Sequence, residues 1–305
     1  MLDICLLGTG GMMPMPSRFL TAMLARLNGH MLLIDCGEGT QVTMKTLGWG
    51  FKAIDVICFT HFHADHISGL PGLLLTIGNA GRTEPLTLVG PMGLRHIVEG
   101  LRRIAPELPF SIEYMELDKD TQSPLQLGDF LISYCPVEHM VKCFAYRIDV
   151  KRQGKFDAKK AEALGLPRPL WGKLQKEGIA EYAGQTYTAD MVLGKERAGI
   201  AMAYCTDSRP VDRLIPFVKD VQLFICEGMY GEEDKKQKAI EHKHMLFSEA
   251  ATLAKEANAQ ELWLTHFSPA LHDPEEYLQN AMDIFPNTIL GEERKWTTLY
   301  FPKEG

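Results

Sequence analysis

Short apolar runs of strand length recur along the chain, and amphipathic stretches lie between several of them. The apolar runs predict strands at Leu2–Leu7, Met31–Ile34, Ile54–Phe59, Leu86–Val89, Phe130–Tyr134, Phe144–Val150, Ala201–Cys205, Val221–Cys226, Leu262–Leu264 and Thr297–Phe301. Helical spacing of apolar residues predicts helices at Ile67–Ile77, Leu94–Ile104, Ser248–Ala257 and Pro274–Ile284. Strands that alternate with helices predict an α/β fold.

One stretch, residues 151–198, interrupts this alternation. It has few strand signals and is rich in Gly, Lys and Pro, as in Gly165-Leu-Pro-Arg-Pro-Leu-Trp-Gly172. From Lys151 to Arg197 there are ten Lys and Arg against six Asp and Glu, whereas the whole chain has a formal charge of −7. A basic segment on an acidic body indicates a docking surface for a polyanion, but a solvated lysine-rich insert has the same composition. We predict one domain over residues 1–305, with residues 151–198 inserted into it.

The composition is that of a globular protein, with 46% hydrophobic and 23% charged residues. The longest apolar runs have only strand length, so the sequence predicts no membrane span. The N-terminal run Met1–Gly8 lacks a basic region and is interpreted as a strand rather than a signal peptide. Seven cysteines without a CxxC pair lie mostly within apolar runs, which predicts reduced, buried thiols in a cytoplasmic protein.

Potential metal ligands are concentrated between Thr60 and His66, directly after a predicted buried strand. His61 and His63 are two residues apart in an extended segment, so their side chains point the same way and can bind one metal. Asp65 and His66 come where the chain turns into a helix, so they diverge from that pair and can reach a second metal. Imidazole and carboxylate ligands suit Zn²⁺ or a similar first-row ion better than Mg²⁺ or Ca²⁺.

Three further residues of ligand type, His139, Asp207 and His266, each lie just beyond an apolar run. Taken singly, each is an ordinary capping or surface candidate. Since loops at strand ends carry function on a rigid scaffold, their shared placement predicts that they complete a two-metal site. The histidines without this placement are predicted to be surface residues: His30, His96, His242 and His272.

The loop His61-Phe-His-Ala-Asp-His66 resembles the signature of the metallo-β-lactamase fold, a four-layer αβ/βα sandwich. The three later ligand candidates match the remaining ligand positions of that fold in order. Asp35 resembles its early aspartate, which orients ligands from behind. The resemblance implies one metal bound by His61, His63 and His139, a second bound by Asp65, His66 and His266, and Asp207 bridging the two.

Similarity to the ribonuclease Z family extends over essentially the whole chain, at Leu6–Gly10, Asp35–Gln41, Gly69–Gly72 and Leu264–Ser268. The basic insert falls where that family carries a flexible arm that grips the tRNA elbow. The resemblance implies a zinc-dependent endoribonuclease that removes the 3′ trailer of precursor tRNA by metal-hydroxide attack on a phosphodiester, leaving a 3′-OH on the tRNA. It further implies two Zn²⁺ per subunit, with Mn²⁺ as the alternative metal. It also implies a homodimer in which one subunit's arm presents tRNA to the other's site.

Two short motifs retain the ionisable residues of the family pattern. Where the family has His-Glu-Ala-Thr this chain has Cys226-Glu-Gly-Met229, and where it has His-Ser-Thr this chain has His244-Met-Leu246. We hypothesise that His244, held by Glu227, donates a proton to the leaving 3′-oxygen. Asp65 is the nearest candidate to accept the proton of the nucleophile. The alternative for His244 is a surface histidine ahead of a helix.

The segments that contact substrate in the family are altered. The family pattern Pro-x-Lys-x-Arg-Asn appears as Pro14-Met-Pro-Ser-Arg-Phe19, without its Lys and Asn, and the Gly-Pro of the arm appears as Arg168-Pro169. The alternative function is therefore a metal-dependent phosphodiesterase or hydrolase that acts on another RNA or a small phosphodiester. A non-catalytic RNA-binding protein would not need the complete ligand set. A thiol-ester or lactone hydrolase would need neither the basic arm nor the Glu227–His244 pair.

Overall fold

The computed structural model describes residues 1–118 and 120–303, in two compact units. The larger unit comprises Met1–Val150 and Ala201–Tyr300. Elements are numbered in chain order. The first sheet of this unit contains β1 (Leu2–Gly8), β2 (Ala22–Leu27), β3 (His30–Ile34), β4 (Ile54–Cys58), β5 (Leu86–Pro91), β6 (Ile112–Leu117) and β16 (Trp296–Leu299). Its strand order is β16-β1-β2-β3-β4-β5-β6.

A second seven-stranded sheet has the order β15-β14-β13-β12-β9-β8-β7. Its strands are β7 (Leu125–Leu127), β8 (Phe130–Pro136), β9 (Phe144–Arg152), β12 (Arg197–Cys205), β13 (Leu223–Glu227), β14 (Leu262–Thr265) and β15 (Thr288–Leu290). The helices of the larger unit are α1 (Thr40–Leu47), α2 (Ala64–Ile67), α3 (Leu70–Asn79), α4 (Leu94–Leu101), α7 (Leu214–Phe217), α8 (Lys236–His242), α9 (Phe247–Glu256) and α10 (Leu278–Met282). Every helix in the described part of the chain is too short or too polar to span a bilayer.

Helices cover one face of each sheet, and the opposite face is buried as well. In β1, Cys5 and Leu7 pack in the cluster that includes helices α1, α3 and α4, while the alternate residues Ile4 and Leu6 are also fully buried. Burial on both faces accounts for the near-continuous apolar runs of the sequence. The Tyr146 hydroxyl of β9 donates a hydrogen bond of 2.7 Å to the carbonyl that follows β4, joining the two sheets. This architecture confirms the predicted α/β sandwich.

The strand directions place several loops at common sheet edges. Strands β3, β4, β5 and β6 are parallel, and so are β12, β13, β14 and β15. Because the carboxyl ends of parallel strands meet at one edge of a sheet, the loops after β3 and β4 lie side by side, as do those after β12, β13 and β14.

The smaller unit comprises Lys151–Ile200 with the described residues from Phe301 on. It contains α5 (Ala158–Ala163), α6 (Arg168–Glu177) and a hairpin of β10 (Ile179–Tyr182) and β11 (Gln185–Thr188). A small apolar cluster of its own joins these elements: Ala161, Leu166, Leu174, Ala180, Tyr187 and Val192. The sequence predicted neither this hairpin nor this cluster, because the apolar residues are few and widely spaced.

Some elements differ from the sequence prediction. The single helix predicted at Ile67–Ile77 is two helices, α2 and α3. A Cβ atom at Gly69 would lie 2.3 Å from the Gly37 carbonyl oxygen, so two backbone segments touch where the helix is interrupted. Pro71, in the first turn of α3, has no N–H to continue the preceding helix. Strand β2 was not predicted, because its residues Ala, Met and Leu are compatible with both helix and strand. Pairing with β1 and β3 makes this segment a strand.

Candidate metal centre

Strand ends deliver the predicted site residues to one region. Asp35 follows β3 and the Thr60–His66 loop follows β4, while Asp207 follows β12 and His266 follows β14. Glu227 is the last residue of β13. Tertiary structure thus brings together residues that are far apart in the sequence; the Nε2 atoms of His66 and His266, two hundred positions apart, lie 3.2 Å from each other.

Three of these residues have a backbone conformation that L-amino acids rarely adopt. The φ angles are 59° at Asp35, 49° at Asp207 and 57° at His266. Each left-handed residue costs on the order of 1–3 kcal/mol and persists only where its surroundings enforce it. At these three positions the strained residues are ones whose side chains converge on the site.

The first cluster consists of His61, His63, His139 and Asp207, whose ligand atoms all lie within 4.8 Å of one another. Asp207 Oδ2 is 3.7 Å from Nε2 of His61 and 3.6 Å from Nε2 of His139. The Nδ1 atom of His63 is 3.3 Å from Nε2 of His139. Tetrahedral coordination at zinc–nitrogen distances of about 2.0–2.1 Å separates ligand atoms by roughly 3.4 Å, so these spacings fit one small cation.

The second cluster consists of Asp65, His66 and His266. Asp65 Oδ2 is 3.7 Å from Nε2 of His66 and 3.4 Å from Nε2 of His266. The other carboxylate oxygen of Asp207, Oδ1, is 3.1 Å from both of these histidine nitrogens. Asp207 therefore presents one oxygen to each cluster.

Asp35 supports the second cluster from behind. Its Oδ2 atom lies 2.8 Å from Nδ1 of His66, and its Oδ1 atom accepts a hydrogen bond from the Thr60 backbone N–H at 2.8 Å. The Asp35 side chain is fully buried. Because the carboxylate holds Nδ1, the Nε2 atom of His66 is turned toward Asp65 and Asp207, as expected of a residue that orients a metal ligand.

The carboxylates Asp65 and Asp207 have no lysine or arginine ion-pair partner in the described part of the chain. Burial raises the pKa of Asp207, but the charges of His266 and His66 outweigh burial, so the pKa lies well below its usual value. Ionised buried carboxylates need a compensating positive charge. The donor set therefore fits bound metal ions.

The histidine nitrogens are also arranged as ligands. Burial, aided by the charge of His66, lowers the pKa of His61 well below its usual value, which keeps the imidazole neutral. Its Nε2 atom is buried without a hydrogen-bond partner, while Nδ1 lies 3.1 Å from the Thr60 hydroxyl. A buried nitrogen with no hydrogen bond is costly, and coordination of a cation removes that cost. These residues are therefore arranged so that they could hold a metal ion.

His244 and Glu227 form a buried pair beside the two clusters. The Nδ1 atom of His244 lies 3.0 Å from Glu227 Oε2, which also accepts the Met245 backbone N–H at 3.1 Å. Burial lowers the pKa of His244, but the charge of Glu227 and its hydrogen bond outweigh burial and raise that pKa to about 9. The His244 ring stacks on that of His266 at 5.6 Å between centroids. The pair therefore favours a protonated imidazole next to the two clusters.

The loop after β1 also contributes to the site, and the sequence did not predict this role. The backbone N–H of Met12 donates a hydrogen bond of 2.7 Å to Asp65 Oδ2. A Cβ atom at Gly11 would lie 2.7 Å from Cε1 of His266, so only glycine leaves this imidazole in place. The glycine-rich run from Gly8 to Gly11 was the available signal.

Comparisons with known proteins identify the family. A curated ribonuclease Z of Clostridium kluyveri is 56% identical over 301 residues, covering 99% of both chains. A ribonuclease Z of Lachnoclostridium phytofermentans is 54% identical, again over 99% of both chains. The chain belongs to the ribonuclease Z family.

Solved structures agree with this ribonuclease Z fold. Human tRNase Z, short form, has a TM-score of 0.70 at 23% identity and covers 98% of this chain and 100% of its own. The metallo-beta-lactamase fold protein YhfI from Bacillus subtilis has a TM-score of 0.69 at 21% identity, covering 97% and 98%. A family model described as "Anti-Pycsar protein Apyc1" matches residues 2–146, less than half of the chain.

One altered ribonuclease Z segment has a structural role here. Arg18, in the loop that lacks the family's Lys and Asn, donates from Nη1 to the carbonyl oxygens of Ser268 at 3.3 Å and Leu271 at 3.0 Å. Its guanidinium also lies 5.4 Å from the ring centroid of Phe267. Arg18 therefore clamps the loop that follows His266.

The cavity of this ribonuclease Z chain contains residues that the sequence did not single out. It has a volume of about 260 Å³ and is lined by members of both clusters and by His244. Its rim includes Tyr230, Lys238 and His242. His30, His96 and His272 are exposed as predicted, and so is His242, but His242 also lines this cavity.

Proposed function

We infer that this chain is a metal-dependent endoribonuclease that removes the 3′ trailer of precursor tRNA. The observation that carries this function is the 56% identity to a ribonuclease Z over 99% of the chain. The structure adds a site that contains every residue type the reaction needs.

We assign one metal to His61, His63 and His139, a second to Asp65, His66 and His266, and a bridging role to Asp207. The support is geometric, because Oδ2 of Asp207 faces the first group and Oδ1 faces the second. Imidazole-rich ligand sets with carboxylates favour Zn²⁺. The proposed content is therefore two Zn²⁺ per subunit, with Mn²⁺ as the alternative.

Different residues have different roles in the proposed phosphodiester hydrolysis. Bound metals would supply Lewis-acid stabilisation of the phosphate and activation of water. Asp65 lines the cavity, and although burial raises its pKa, the hydrogen bond and charges of His266 and His66 outweigh burial and keep the pKa low. Its carboxylate is therefore ionised, and its place in the cavity supports its assignment as the acceptor of the proton of the attacking water.

His244 is assigned as the donor to the leaving 3′-oxygen. Glu227 fixes its ring through Nδ1, which leaves Nε2 to deliver a proton. The Arg209 guanidinium supports this position, since it donates to the His244 carbonyl and forms an ion pair with Glu249. A histidine protonated near neutral pH and held rigidly meets the requirements of a general acid.

The experiment that tests the function is cleavage of an unmodified precursor tRNA with a 3′ trailer. We expect a chelator-sensitive cut at the trailer boundary that leaves a 3′-OH, with the ends mapped by primer extension and labelling. If several precursors remain intact while a simple phosphodiester is hydrolysed rapidly, the alternative phosphodiesterase function replaces this one. The phosphodiesterase alternative is worth testing because Arg18 is the only Lys or Arg of the Pro14–Phe19 loop. Its guanidinium is engaged with backbone carbonyls, and the Lys of the family pattern is missing.

The proposal includes residues 151–198 as the tRNA-docking arm. The support is the net positive charge of Lys151–Arg197 and the exposure of Lys159, Arg168, Lys173 and Lys176. Phosphate contacts supply affinity without reading sequence, as the elbow of a tRNA requires.

Replacing Gln153–Glu196 by a short glycine linker keeps both flanking strands and should lower kcat/KM for precursor tRNA by at least about 10²-fold at physiological salt. The slope of log(kcat/KM) against log[salt] should also become shallower. Bis(p-nitrophenyl) phosphate, which is too small to reach an arm, serves as the control substrate. Equal losses on both substrates would mean that the segment is needed for folding rather than docking.

Two further inferences stay predictions. The homodimer rests on the family resemblance alone. The cytoplasmic location is supported by the seven cysteines, all of which are free and buried, as expected for a reducing compartment.

A further inference from the structure

Helix α8 presents two basic side chains to the metal-binding cavity. Lys238 and His242 are four residues apart, so they share one face of the helix, and both line the cavity with Asp65, Asp207 and His244. Both side chains are exposed. The cavity is therefore lined by Lys238 and His242 as well as by the carboxylates of Asp65 and Asp207.

The charge of Lys238 is not neutralised by the protein. In the described part of the chain no carboxylate forms an ion pair with it, whereas the nearby Lys235 pairs with Asp234 at 3.8 Å and Lys243 pairs with Glu138. The ammonium group of Lys238 instead lies 5.4 Å from the ring centroid of Tyr230. A cation held over an aromatic face keeps its charge and a defined position.

Tyr230 also places the Lys238 ammonium group near His244. Its ring lies 6.5 Å from the His244 ring in an edge-on arrangement. Since His244 is assigned as the proton donor to the leaving 3′-oxygen, the rim formed by α8 is on the side of the last tRNA nucleotide. The next phosphate of the substrate in this direction is the one on the 5′ side of that nucleotide.

We propose that Lys238, positioned over Tyr230, binds the phosphate on the 5′ side of the last tRNA nucleotide, with His242 beside it. The ligand class is a ribonucleotide strand that ends in a free 3′-OH. This subsite rests on the proposed function and the His244 assignment, and it fixes the register of the strand at the cut. Lysine suits the role because it binds phosphate as a point charge.

The test is product inhibition of bis(p-nitrophenyl) phosphate hydrolysis by the metal-loaded enzyme. One inhibitor is a short RNA with 5′-OH and 3′-OH ends, which represents the tRNA side of the cut. The other has a 5′-phosphate and a blocked 3′ end, which represents the trailer. Each rate is normalised to the uninhibited rate of the same variant.

In Lys238→Ala the inhibition constant of the 3′-OH strand should rise about tenfold, the low end for loss of a charged hydrogen bond. The slope of its logarithm against log[salt] should fall by about 0.7, the value for one single-strand phosphate contact. Lys238→Arg should restore most of the inhibition. Lys236→Ala, an exposed lysine of the same helix that does not line the cavity, is the matched control and should behave as wild type.

Equal inhibition constants in Lys238→Ala and wild type would overturn the subsite, and so would a change only for the trailer strand. Absence of any inhibition of the wild type by the 3′-OH strand would also overturn it. These outcomes do not depend on tRNA processing, because the reporter reaction is hydrolysis of a small diester. Failure of the proposed function appears separately, as intact precursor tRNA with the wild-type enzyme.

Discussion

Asp207→Ala is expected to remove at least one metal ion per subunit and to lower precursor-tRNA cleavage by more than about 10³-fold. Loss of the carboxylate takes away the group that faces both histidine clusters at 3.1 to 3.7 Å. Metal ions contribute several kcal/mol to transition-state stabilisation, and each 1.4 kcal/mol is about tenfold in rate. Metal content is measured by mass spectrometry on the purified protein, together with single-turnover rates.

Asp212→Ala is a matched control, because Asp212 is an exposed aspartate in the same loop region. It should keep its metal and its activity. An Asp207→Ala protein that is folded and retains the wild-type metal content would contradict the bridging assignment. Retained activity with one metal would show that a single ion suffices for hydrolysis.

His244→Ala is expected to lower kcat for precursor tRNA by about 10²–10⁴-fold, the usual contribution of a general acid, without loss of metal. The loss should be much smaller with bis(p-nitrophenyl) phosphate, because p-nitrophenolate leaves without a proton. Comparison of the two substrates separates proton donation from a structural role. His272→Ala, an exposed histidine outside the cavity, is the control.

The pH dependence gives a second measurement on the same residue. His244 acts in its protonated form, and Glu227 raises its pKa, so activity should be lost on the alkaline side, as the pH rises through that raised pKa. Glu227→Gln removes the charge that raises this pKa and should move the alkaline limb to lower pH. An alkaline limb that is unchanged in Glu227→Gln, or a His244→Ala protein that lacks metal, would contradict the assignment.

Local sequence was sufficient for much of the fold and for the residue types of the site. The apolar runs of β1, β4, β8 and β14 are long enough to mark buried strands, and the residues that follow them could be read as functional loops. The spacing of His61 and His63 depends only on extended backbone geometry. The three isolated ligand candidates could be named because each follows a recognisable apolar run, whereas Asp35 was named only through the family resemblance.

The sequence could not determine how these loops face one another. The separation between Nε2 of His66 and Nε2 of His266 depends on how two sheets assemble, and the aim of Asp207 depends on a left-handed backbone conformation that its neighbours enforce. His242 was assigned to the surface because no strand precedes it, yet α8 carries it to the cavity.

The sequence by itself therefore determined an α/β chain with a histidine-rich metal loop, a basic insert and the candidate ligands, since periodicity and strand ends are local properties. The family resemblance implied a bridging Asp207 and a His244 held by Glu227. Only the tertiary structure shows Asp207 oxygens at 3.1 to 3.7 Å from the histidines of both clusters and Glu227 Oε2 at 3.0 Å from His244 Nδ1. The tertiary structure also places Lys238 at the cavity and brings Arg18 into contact with the loop that follows His266. The physical reason is that these arrangements depend on contacts between distant segments, which form only when both sheets and their helices are packed together.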